Sequence, residues 1–175
     1  MILKQAKRFD FPSIYNEMQR SFPREEMRDF DDACAVFDDP AYTVYHLEKD
    51  GARVGFLTVW SLDGFTFGEH FVIYEAYRNR GLGGEAIDAA TATFGRFVLE
   101  AEHPTTEIAA RRQGFYRRHG FAVNPKTYFQ PSYHAGEDDV PLALLSYPAP
   151  LSDAEFDSAV TQIYKTVYHR CYQKD

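Results

Sequence analysis

The segment that most constrains this chain is Tyr77-Arg78-Asn79-Arg80-Gly81-Leu82-Gly83-Gly84-Glu85-Ala86. Three glycines in four positions let a backbone come close to a ligand. Behind them Leu82, Ala86, Ala90 and Phe94 recur at four-residue steps, which predicts a helix. Ahead of them, Phe65 to Tyr74 reads as a strand. A helix entered in this way turns unpaired N–H groups and its positive dipole end toward the loop, and such an end binds anions. Arg78 and Arg80 place positive charge where a diphosphate would lie. An ordinary turn would account for the glycines alone, but not for paired arginines between a strand and a helix.

The rest of the chain predicts alternating strands and helices. Met1 to Lys7 reads as a first strand, and Pro12-Ser13 opens a helix through Arg20 with Ile14, Tyr15 and Met18 on one face. Pro23 stops it, and Arg24 to Ala35 reads as a second, acidic helix. Tyr42 to Leu47, Ala52 to Trp60 and Phe65 to Tyr74 are strands separated by Asp50-Gly51 and Asp63-Gly64, which is an antiparallel meander. In the middle strand Val54, Phe56, Thr58 and Trp60 are expected on one face. Phe97-Val98-Leu99 has the apolar character of a buried parallel strand. Thr106 caps a helix to His119 that Gly120 ends. Phe121 to Phe129 and Leu142 to Ser146 read as late strands. Ser152-Asp153-Ala154-Glu155 is a capping box, and the helix behind it lines up Phe156, Val160, Ile163, Val167 and Cys171. That stripe packs on its own domain or on a second copy in a homodimer.

A length of 175 residues suits one domain, residues 1–175, with a core at 1–147 and a C-terminal helix at 152–171. The N-terminus lacks the apolar stretch of a secretory signal, and no run approaches the roughly 20 apolar residues of a membrane span. Cys34 and Cys171 read as reduced thiols, and the expected compartment is the cytoplasm. A net charge of −7 argues against a duplex nucleic-acid partner and suits a cationic one, although acidity also simply confers solubility. The histidines show no metal-ligand spacing and no Gly-x-Ser-x-Gly occurs, so neither a metal nor a serine hydrolase is expected.

Two known patterns compete for the loop. Gly81-x-Gly83-x-x-Ala86 fits a dinucleotide fingerprint, with Glu100 near the expected ribose acid. Against it, Glu75 to Arg80 intervene between strand and glycines, and repeated strand–helix units are missing. Arg78-x-x-Gly81-x-Gly83 resembles the pyrophosphate loop of the GCN5-related N-acetyltransferases, the GNAT superfamily. Phe115-Tyr116-Arg117-Arg118-His119-Gly120-Phe121 resembles that family's later motif, a tyrosine four residues before Gly-Phe, and the element order from Met1 to about Ser146 agrees. The resemblance implies a mixed α/β fold in three layers, with an antiparallel meander, a central parallel strand pair, flanking helices and a C-terminal helix. It implies transfer of an acetyl group from acetyl-CoA to an amine by direct attack in a ternary complex. Val72 and Ile73 would pair with the pantetheine arm, and Arg78, Asn79, Arg80, Gly81, Leu82, Gly83 and Gly84 would hold the pyrophosphate. Ala109 or Ala110 stands where many members carry an asparagine, which removes one cofactor hydrogen bond.

Such a transfer needs a base for the amine, donors for the oxyanion and an acid for the thiolate. Strict alternation puts Glu69 on one strand face with Phe67, Phe71 and Ile73, where desolvation would raise its pKa and suit it as the base; a bulge would shift that phase. Glu100 and Glu102 are the reserves, and read first as a solvated strand end. Tyr116 is the expected acid and also contacts the cofactor, with Phe115 in the core; His70 alternates to the face opposite Glu69. The acidic second helix and the segment Tyr128 to His134 are expected to border a pocket for a small-molecule or peptide amine of cationic character. An oxidoreductase on a dinucleotide fold and a CoA-binding module without catalysis remain as alternatives.

Overall fold

A computed structural model describes residues 1–169. Eight strands form one sheet in the order β1-β2-β3-β4-β5-β8-β6, with β7 also on β8. β1 (Ile2–Gln5), β2 (Tyr42–Lys49), β3 (Ala52–Leu62) and β4 (Phe65–Ile73) are antiparallel neighbours, which is the expected meander with β1 on its edge. β5 (Phe97–Glu102) runs parallel to β4. The short strands β6 (Ala122–Val123) and β7 (Tyr128–Gln130) lie beside the long β8 (Val140–Tyr147). The expected strand from Phe121 to Phe129 is therefore two pieces. Between them, Asn124 turns its side chain into the sheet, donating to Leu144 O and Ser146 Oγ.

The helices cover both faces. α1 (Phe11–Ser21), α2 (Phe30–Phe37) and α5 (Asp153–Gln162) pack on one side, around Ile14, Phe56, Trp60, Phe67 and Phe156. α3 (Leu82–Phe94) and α4 (Glu107–Arg118) pack on the other, around Leu57, Ile87, Leu99, Tyr116 and Phe121. The local signals set the helix ends. Thr106 Oγ1 accepts from Ala109 N at the start of α4, and Ser152 and Glu155 close a capping box on α5. Among the described residues, no helix is long and apolar enough to cross a membrane.

Three further expectations are corrected. The segment 24–35 is not one helix: a 3-10 turn over Arg24–Glu26 is followed by extended Met27, and α2 starts only at Phe30. The break follows from Arg28, whose guanidinium is drawn inward. In β3, Leu47 pairs with Gly55 but Glu48 pairs with Arg53, so Val54 bulges out of the ladder. Val54 then packs with Leu47 and Leu57, away from Phe56 and Trp60. Finally, α5 stops at Gln162 and continues as a π-helical turn over Ile163–Val167; Cys171 lies outside the described residues.

Candidate active site

The site lies where β4 and β5 part. They pair only from Thr66↔Phe97 to Gly68↔Leu99. A Cβ on Gly68 would sit 2.6 Å from the Phe97 ring, so this last contact needs glycine. Beyond it the two strands diverge around a cavity of about 360 Å³. Glu69, Glu100, Tyr116, Tyr133 and Tyr168 all line it.

The divergence begins at a second bulge. Thr58 faces His70 while Val59 faces Gly68, so Glu69 has no partner on β3. The bulge turns Glu69 and His70 to the same side, with His70 Nδ1 3.6 Å from Glu69 Oε2. Glu69 thus shares a face with Phe67 and Val72, while Phe71 and Ile73 pack on the other, which corrects the alternation expected for this strand. The backbone changes role as well. Tyr74 N–H donates to Val54 O, and the Val72 carbonyl lies against Gly55. By two-residue alternation Val72 is committed to β3, whereas Phe71 and Ile73 turn their backbone groups to the gap. Arg78 Nε donates to the outward Ile73 carbonyl at 3.0 Å.

Glu69 is held, not poised. Its Oε1 accepts from Arg28 Nη1 at 2.5 Å and from the Tyr133 hydroxyl at 2.7 Å, and its Oε2 from Trp60 Nε1 at 3.2 Å. The Arg28 guanidinium stacks 4.4 Å from the Tyr133 ring centroid and donates to Val167 O at 2.6 Å. Burial works to raise the Glu69 pKa, but the charge of Arg28 and the hydrogen bonds overcome it and hold the carboxyl well below its usual range. The expected raised value is reversed. A carboxylate whose two oxygens accept a charged donor and two neutral ones is a structural anchor and a weak proton acceptor.

Glu100 has the opposite character. It is not a solvated strand end. It accepts from the Tyr128 hydroxyl on Oε1, and from the Tyr168 hydroxyl at 3.0 Å on Oε1 and 2.8 Å on Oε2. No cation pairs with it among the described residues. Burial pushes its pKa up to about 8, against the two tyrosine donors, with Glu69 and Glu26 adding like charge. The other reserve, Glu102, is half exposed and paired with Arg112 at 2.6 Å. Glu26 lines the cavity too and, among the described residues, has no ion-pair partner. It is the main contribution of the acidic segment, since Asp31 and Asp32 on α2 are exposed. From the later segment, Gln130 and Tyr133 reach the cavity.

Tyr116 enters from α4. Its ring packs on Phe121 at 5.6 Å, its hydroxyl makes no hydrogen bond among the described residues, and burial raises its pKa to about 12. It stays protonated at neutral pH and has a proton to give. Phe115 sits half-buried over the glycine loop, 3.7 Å from where a Gly83 Cβ would lie.

The loop has the form of an anion cradle. Gly81 adopts φ +77° and caps α3, a conformation that side chains resist. The N–H groups of Asn79, Arg80, Gly81, Leu82 and Gly83 have no acceptor among the described residues. Arg78 lies at the cavity and Arg80 stacks on Tyr77 at 5.7 Å. Unsatisfied donors, a helix N-terminus and two arginines fit a diphosphate. Ile73, Phe71, Tyr116 and Glu100 line the cavity that Arg78 also borders.

Comparison with known proteins agrees with this geometry. Residues 11–121 match the family model for the GNAT family of acetyltransferases. A protein from Bacteroides thetaiotaomicron assigned to that family is 28% identical, with a TM-score of 0.91 over 96% of this chain and 98% of its own. The ribosomal-protein-S18-alanine N-acetyltransferase of Escherichia coli shares the fold at 16% identity, with a TM-score of 0.61 over 86% of this chain and 95% of its own. An aminoglycoside 6'-N-acetyltransferase solved with coenzyme A does so at 15% identity, with a TM-score of 0.57 over 87% of this chain and 100% of its own. The search of curated proteins returns no match. With the family model spanning more than half of its length, the chain belongs to the GNAT family of acetyltransferases.

Proposed function

We propose that this chain is an N-acetyltransferase that moves an acetyl group from acetyl-CoA to an amine in a ternary complex, as one unit over residues 1–175 in the cytoplasm. The observation that carries the reading is one cavity, between parted strands, lined by a carboxyl of raised pKa and a free tyrosine hydroxyl, with a donor-rich loop beside it. When bound, acetyl-CoA supplies a thioester carbonyl as the electrophile. Arg78 to Gly84 hold its diphosphate, and Phe71 and Ile73 offer their backbone groups to its pantetheine arm.

Glu100, rather than Glu69, is the base in this reading. A carboxyl with a pKa of about 8 takes a proton far better than one locked on Arg28. The attacking amine nitrogen forms a bond to the carbonyl carbon and its proton passes to Glu100. The Phe71 N–H, facing the gap, offers a donor to the carbonyl oxygen. As the carbon–sulfur bond breaks, Tyr116 gives its proton to the sulfur, so free CoA and the amide leave. The acceptor is a small-molecule or peptide amine, and the acidic side chains of Glu26 and Glu102 in the cavity wall beside Glu100 suit one that carries positive charge.

The test is thiol release from acetyl-CoA with cadaverine, kanamycin and an alanine-terminated peptide amide as acceptors. At least one should raise release above the acceptor-free rate, and Glu100→Gln should abolish the increase. No increase with any of the three, while acetyl-CoA still raises the melting temperature, would leave a binding module without catalysis. A melting shift with NAD(H) and none with acetyl-CoA would sink the transferase reading altogether.

A further inference from the structure

The family match ends at residue 121, yet both tyrosines that donate to Glu100 lie beyond it, Tyr128 on β7 and Tyr168 after the π-helical turn. Tyr128 and Tyr168 both donate to Glu100, the first to Oε1 and the second to both oxygens. Together they hold the Glu100 carboxyl from two elements, Tyr128 on Oε1 and Tyr168 across both oxygens with its shorter contact to Oε2, at the wall of the cavity that Glu100 lines. Neither is a surface ring: Tyr128 is 2% and Tyr168 8% exposed. Tyr168 is fixed from two sides. Its ring lies 5.1 Å from that of Tyr133, and the carbonyl of Val167 next to it accepts from Arg28, the residue that anchors Glu69. The Arg28–Glu69 pair thereby ties the π-helical turn to β4, and Tyr168 carries that constraint to β5.

We propose that Tyr128 and Tyr168 are positioning residues for the transfer, clamping the Glu100 carboxyl in one orientation at the cavity wall where the amine would bind. The inference rests on the assignment of Glu100 as base. The C-terminal segment is then part of the active site and completes it, while the glycine loop and α4 handle the cofactor. The charged and titratable groups around Glu100 are Tyr128 on β7, Tyr133 before β8, Tyr168 after the π-helical turn, Glu69 on β4 and Glu26 before α2. Burial and the two glutamates disfavour its ionised form, and the two hydroxyls favour it. Removing either hydroxyl should therefore raise the pH at which Glu100 ionises.

The experiment uses Tyr168→Phe and Tyr128→Phe in the full chain, since each keeps its ring. The Glu100 carboxyl is followed by carbon NMR in protein labelled at glutamate Cδ and is assigned from the signal that Glu100→Gln loses. In each variant its titration should move up by about one pH unit, the size of one hydrogen bond to a charged group. With acetyl-CoA and the best amine of the three above, the acid limb of kcat/KM should move up with it, and turnover should recover at high pH. A uniform loss at every pH with an unmoved midpoint, while Glu100→Gln is inactive, overturns the inference alone. Wild-type turnover in Glu100→Gln overturns the base assignment and the inference with it. Melting temperatures are recorded for both variants, and if the deeply buried Tyr128→Phe does not fold, Tyr168→Phe decides.

Discussion

Glu69 and Glu100 face one cavity, yet their replacement by glutamine should change stability in opposite directions. Glu100 has its pKa raised from the ordinary 4.5 to about 8. Between those values the folded state binds the extra proton, so stability falls as pH rises through the interval, and the loss is complete above about pH 8. At about 1.4 kcal/mol per unit the interval corresponds to about 5 kcal/mol at most. Glu100→Gln abolishes the ionisation and keeps one acceptor for the two tyrosines, so we expect a net gain of about 2 kcal/mol at pH 8, or about 4–8 °C in Tm. Near pH 4 the gain should vanish, because the wild-type carboxyl is then neutral. Glu69 has the depressed value, so its contribution is present above 4.5 and is lost as pH falls toward the folded pKa. Glu69→Gln leaves Arg28 buried beside a neutral amide, which should cost about 3–5 kcal/mol at neutral pH. Thermal melts of the wild type and both variants across this pH range provide the assay. A Glu100→Gln protein less stable than wild type at pH 8, or a difference that does not change with pH, would refute the reasoning.

Two further outcomes are expected. Tyr116→Phe keeps the packing against Phe121 and removes a hydroxyl with no hydrogen bond among the described residues, so Tm should change little while turnover falls on the order of 10²-fold with acetyl-CoA affinity retained; unchanged turnover would return the residue to a packing role. Gly83→Ala should bind acetyl-CoA normally in calorimetry, because its Cβ would meet Phe115 and Ile73 at 3.7 and 3.8 Å, whereas the extra methyls of Gly83→Val should crowd them and lower affinity at least about tenfold. Equal affinity in a folded Gly83→Val protein would remove the loop from cofactor binding.

The fold was legible where signals are short-range. The four-residue spacing from Leu82 to Phe94, the Thr106 cap, the Ser152 box and the two Asp-Gly turns each act over a few residues, and each element formed at its place. That β5 is a buried parallel strand was legible from the short apolar run Phe97-Val98-Leu99. The second helix failed for a long-range reason. Nothing near Arg28 announces that it leaves the helical path to pair with Glu69, 41 residues away.

The surroundings of Glu69 were misread for the same reason, and the physics can be followed. Alternation fixes side-chain direction only while each residue keeps a partner across the ladder, and the bulge at Glu69 is set by Thr58 and Val59 on β3. One inserted residue turned Glu69 toward Trp60, Arg28 and Tyr133, which converted an expected base into an anchor. Glu100 looked like a strand end because β5 is short and acidic there. Its burial comes from Tyr128 and Tyr168, 28 and 68 residues further on. Two carboxylates of equal intrinsic acidity thus separate into ionised and protonatable forms by what surrounds them: an arginine with a full set of donors in one case, two neutral hydroxyls in the other. That division is itself a functional signal, since an acetyl transfer needs one group that accepts a proton near neutral pH, and a second carboxylate that competed for it would weaken the first. Arg28 removes that competition by keeping Glu69 charged, and the same charge on Glu69 helps to keep Glu100 protonatable.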